Sequence, residues 1–128
     1  MAHPVWAQHK TELDELFLPK TQQQELTYKN GQKVHVLLST QEVEPVLLHY
    51  LKLSRQASWR LTFPSQAEAV TWLNALKKSK QSKVFMLNLY NLKSKVNYSL
   101  TIGELQKTSD LTARSIITIY RMQDSFGS

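Results

Sequence analysis

The chain contains no cysteine. That excludes a disulfide framework and thiolate chemistry. It fits a reducing compartment, so a cytoplasmic location is expected. There are only three glycines, Gly31, Gly103 and Gly127, and they lie far apart. A phosphate loop needs clustered glycines so that backbone amides can wrap the phosphates. No apolar run approaches the length of a membrane span, and Met1 to Trp6 has no apolar signal-peptide core. No membrane partner is therefore expected. Acidic residues are the minority: 16 Lys and Arg against 10 Asp and Glu give +6. Such a balance attracts nucleic acid, an anionic membrane or an acidic protein without choosing among them.

Catalytic constellations are also missing. The four histidines are His3, His9, His35 and His49, and no pair has the helical spacing of a zinc site. No Gly-x-Ser-x-Gly elbow surrounds any serine. Glu42 and Glu44 sit together at a helix start, where the helix dipole explains them. Neither an enzyme nor a cofactor is expected.

What is present suits one soluble domain: 128 residues, 41% hydrophobic and 20% charged. Residues 1–32 read as a polar, partly flexible segment. Within it, His9 to Leu18 suits a short helix stopped by Pro19, and Thr21 to Glu25 reads as a linker. Asn30-Gly31 is a turn signal compatible with a hairpin. The main domain is expected over 33–122, with a tail at 123–128.

Lys33 to Leu38 is rich in β-branched residues and predicts a strand. Val43, Val46, Leu47, Tyr50 and Leu51 recur at helical spacing. Pro45 is harmless if that helix starts near Glu42 to Glu44. Trp59 to Phe63 predicts a second strand ended by Pro64. Ser65 with Glu68 forms a capping box for a second helix, with Ala69, Leu73 and Leu76 buried and Trp72 at the margin. Val84 to Leu87 is an unbroken apolar run, as expected of a strand covered on both faces. Tyr90 to Ser99 reads as a loop. Thr101 with Glu104 suggests a helix over 102–109; a strand over Tyr98 to Ile102 is the rival. Ser115 to Tyr120 predicts the last strand. The order β-α-β-α-β-α-β implies a single α/β domain with a mainly parallel sheet.

Two features invite a partner. Lysines 77, 78, 80, 83, 93 and 95 concentrate in one stretch, and Trp59, Phe63 and Trp72 lie just before or at its edge. The bland readings are a solvated face and a core. The sharper reading is a basic rim around an aromatic interface.

The ordered set Trp59-Arg60-Leu61-Thr62-Phe63-Pro64, then Trp72, then Lys83-Val84 resembles the SulA family of cell-division inhibitors. The likeness covers about Lys33 to Arg121. It implies a truncated RecA-like α/β fold without the phosphate loop and a non-enzymatic role. Such a protein would bind FtsZ, the tubulin-like division GTPase, and block its assembly, with an SOS link. The resemblance carries the family's helix tryptophan onto Trp72 and its strand-opening lysine onto Lys83. The family's strand leucine falls at Phe63, or at Thr62 when aligned from the proline. Its arginine is unmatched: Ser58 stands there, with Arg60 and Arg55 nearby. The FtsZ-binding set implied is Trp59, Arg60, Phe63, Trp72, Lys77 and Lys83. A homodimer is compatible with this reading. The alternative is a basic nucleic-acid-binding module, with Tyr90 and Tyr98 as stacking candidates.

Overall fold

A computed structural model of the chain describes residues 12–27, 31–79, 84–105 and 112–122. The elements are α1 (Glu12–Leu16), β1 (Gln22–Thr27), β2 (Lys33–Ser39), α2 (Val43–Leu53), β3 (Trp59–Phe63), α3 (Gln66–Ser79), β4 (Val84–Asn91), β5 (Val96–Glu104) and β6 (Ser115–Arg121). One six-stranded sheet runs in the order β1-β2-β6-β5-β4-β3, and every neighbouring pair is antiparallel.

This corrects the expected fold class. The sheet is not mainly parallel, and the RecA-like arrangement implied by the resemblance is not the arrangement of this chain. The β-α-β signal had a real cause. Strands β2 and β3, joined through α2, point the same way, because four antiparallel steps separate them. The meander β4-β5-β6 fills the space between them. A pattern of alternating elements cannot reveal that filling.

Two strands lie where other structure was expected. Thr21 to Glu25 is not a linker, since Gln22–Thr27 is an edge strand on β2. Its register closes at Thr27↔Lys33, and Gly31 takes a φ of +84°, the left-handed region that glycine enters without strain. The 90–99 loop shrinks to Leu92–Lys95. The Asn91 Oδ1 accepts the amides of Lys93 and Ser94 at 2.9 and 3.0 Å, and the Lys95 amide donates to the Asn91 carbonyl at 2.8 Å. This Asx-type turn pairs β4 with β5 directly. The helix over 102–109 gives way to the rival strand: β5 runs through Glu104, and 106–109 lie outside the described residues.

The helices share one side. Leu16 of α1, Val46, Leu47 and Tyr50 of α2, and Ala69 and Leu73 of α3 form one core with Leu37, Leu87, Leu100, Ile117 and Ile119 of the sheet. In α2 the five apolar positions read from the sequence are all buried. Glu42 is the N-cap, so Pro45 stands in the first turn, where its missing N–H costs nothing. In α3 the Glu68 amide donates to Ser65 Oγ at 3.1 Å, as the capping box requires.

The amino-terminal part, read from the sequence as polar and partly flexible, enters this core through Leu16 and Leu18. Leu16 and Leu18 are buried, and the Tyr50 hydroxyl donates to the Leu16 carbonyl at 2.6 Å. Burial also pushes the Tyr50 phenol well above its ordinary range. It stays a neutral donor.

Candidate functional site

With the helices on one side, no described helix covers the other face of the sheet, although Val34, Ser99 and Gly103 on that face are buried. The register places its side chains in rows across the strands. Val84, Gly103, Ile116 and Leu38 form one row. Met86, Thr101, Thr118 and Val36 form the next. Phe63, Asn88, Ser99, Tyr120, Val34 and Leu26 form the third. Arg60, Tyr90 and Asn97 close one corner.

Large apolar side chains stand out of this face: Val84 is 70% exposed, Met86 49%, Phe63 47% and Leu26 40%. Single exposed apolar residues are ordinary, but a group on one face is informative. The face is also almost uncharged. Among the described strand residues that point to it, Arg60 is the only cation or anion. On a chain of net charge +6, a neutral apolar and hydroxyl face suits another protein surface rather than a polyanion.

The residues singled out from the sequence separate here. Trp59 is 1% exposed, with its ring 5.9 Å from Tyr98, so it has no surface to offer a partner. Arg60 and Phe63 are exposed on the open face. Trp72 is half-buried on α3 against Phe85, at 5.4 Å between ring centroids, in the helix layer. Lys77 is exposed in the last turn of the same helix. Lys83 lies outside the described residues. No single patch joins the described members of the set.

The lysine concentration divides too. Lys77 lines a concavity of about 630 Å³ with Glu42, Glu44 and Glu104, at the Glu104 end of the sheet. Lys93 and Lys95 occupy the turn at the other end of β4, which is roughly 24 Å long. Tyr98, a stacking candidate, is buried in the core, while Tyr90 is half-buried on the open face. Among the described residues, these groups do not line one groove.

The concavity offers no clear chemistry. Its carboxylates stand by the start of α2, and Glu42 lies 4.0 Å from the Arg114 guanidinium. No cluster of three potential metal ligands occurs among the described residues. His49 is half-buried, and its Nε2 has no hydrogen-bond partner. Burial, and then the nearby Lys52 charge, lower its pKa. The unfolded chain therefore takes up this proton first as the pH falls below about 6.5. Stability is full above that value and declines below it, down to the lowered folded pKa. His49→Gln should flatten the fall in thermal midpoint between about pH 7.5 and 5.5. An unchanged slope would show that other groups cause it.

Sequence reasoning missed most of the open face. Its signal was the run Val84 to Leu87, read as a strand covered on both sides. One side is covered: Phe85 and Leu87 are buried while Val84 and Met86 are exposed. Among the described residues, no helix is long and apolar enough to cross a membrane. No family model, curated protein or solved structure matches this chain.

Proposed function

We propose that this chain is a non-catalytic protein-binding module whose contact surface is the open face of the sheet. The observation that carries the reading is the group of exposed apolar side chains on a face whose one charge among the described strand residues is Arg60. The positions named in these rows, about 4.8 Å apart across strands and about 6.8 Å apart along them, cover on the order of 550 Å². That is about two-thirds of the roughly 800 Å² each partner contributes to a standard interface. Phe63 and Met86 supply anchors, and Arg60 supplies a cation at the rim. The partner that fits is a folded protein presenting a neutral, apolar surface.

FtsZ is the first partner to test. It enters on sequence resemblance alone, since the parallel fold implied by that resemblance is not found. The experiment is sedimentation of FtsZ with GTP, with and without this protein. An FtsZ inhibitor reduces the pelleted FtsZ. Met86→Lys should abolish the effect, because it sets a charge in the middle of the apolar rows. A hot-spot loss of about 2 kcal/mol or more corresponds to more than tenfold in affinity. Unchanged pelleting with the wild-type chain removes FtsZ as partner. Inhibition that survives Met86→Lys but is lost in Trp72→Ala moves the contact surface to the helix layer.

A further inference from the structure

We infer that the outer edge of β1 pairs with β1 of a second copy of this chain, antiparallel and in register about Gln24. The inference goes beyond the binding face and does not depend on it.

The two edges of the sheet differ. At β3 the ladder is broken by a bulge between Leu61 and Phe63, and Pro64 follows. Bulges and prolines are devices that discourage strand addition. Strand β1 has neither. Its six residues, Gln22–Thr27, pair regularly with β2 on one side and are exposed throughout. The strand has one charge, Glu25. Its carboxylate lies 3.7 Å from Lys33 Nζ and 4.0 Å from His35 Nδ1, toward β2. Among the described residues, the outer edge thus presents an unblocked row of backbone donors and acceptors.

A second copy fits this edge by symmetry. A two-fold axis perpendicular to the sheet makes the added strand antiparallel and satisfies both edges at once. Residues directly opposite must then point to the same face, so the axis passes through a residue rather than between two. Two such registers pair five residues of β1. An axis at Glu25 sets two carboxylates face to face, which repels. An axis at Gln24 avoids this. It sets Gln24 opposite the partner's Gln24, Gln23 opposite the partner's Glu25, and Gln22 opposite the partner's Leu26. The glutamine amides can donate and accept across the seam. The result is a continuous twelve-stranded sheet whose open faces run together.

A ladder of this length is a small interface, so dissociation constants from tens to hundreds of micromolar are expected, as a rough guide. Sedimentation equilibrium of the full chain between about 10 μM and 1 mM covers that range. The decisive comparison is Gln24→Lys against Gln23→Lys. Each adds one positive charge to an exposed strand position, so both have the same effect on general repulsion. Gln24→Lys brings two ammonium groups opposite each other and should weaken the dimer at least about tenfold. Gln23→Lys sets an ammonium opposite the partner's Glu25 and should tighten it. Circular dichroism checks that both variants fold. A wild-type chain that stays monomeric throughout overturns the inference, and so do two variants that shift the equilibrium alike.

Discussion

Deleting residues 1–18 should unfold the domain or remove most of its stability. Leu16 is fully buried and Leu18 nearly so. Emptying a buried leucine site costs about 2–5 kcal/mol, so the pair amounts to roughly 4–10 kcal/mol. A domain of this size has about 5–15 kcal/mol in total. The deletion also removes the carbonyl of Leu16, leaving the buried Tyr50 hydroxyl without its acceptor. An orphaned buried donor adds about 1–3 kcal/mol. Urea unfolding followed by circular dichroism reads the result. Tyr50→Phe is the milder variant. It deletes only the hydroxyl, leaves the Leu16 carbonyl unpaired, and should cost about 1–2 kcal/mol. A truncated chain with an unchanged urea midpoint would show that α1 is not docked on α2.

The deletion also tests where sequence reading went astray. The polarity of residues 1–32 suggested a segment outside the core, yet Leu16 and Leu18 are buried within it. The helical spacing in α2 was legible because five apolar positions recur on one face. The Ser65 cap was legible because its chemistry is local. Strand β1 was not, since Gln-Gln-Gln-Glu has no strand preference and pairs only because β2 lies beside it. Strand β5 was hidden by Thr101 and Glu104, whose spacing mimics a capping box. The truer signal was the period of two in Tyr98, Leu100 and Ile102, all buried. Strand direction was beyond reach, because a helix can join strands that never become neighbours. The open face was half legible: the apolar run in β4 was visible, but which of its sides lacked a cover was not.

Replacing Trp59 by alanine should cost about 3–5 kcal/mol of stability, whereas Phe63→Ala should cost less than about 1 kcal/mol. Both aromatics belong to the same edge strand, and both stood together as contact residues on resemblance. The register separates them. Trp59 pairs with Asn91 and points into the helix-covered core, where its ring lies against Tyr98. Phe63 pairs with Asn88 beyond the bulge and points to the open face, where it is about half exposed. Removing the indole leaves a large cavity beside Tyr98 in the core, and a close-packed interior closes it only in part. Removing the benzyl group exposes little that was not already wet. Equilibrium unfolding of the two variants measures the difference directly, with circular dichroism as the signal common to both. Equal stabilities would mean that Trp59 is not buried as described. A folded Phe63→Ala chain is also the variant of choice for binding work, since any loss it shows belongs to the surface and not to the fold.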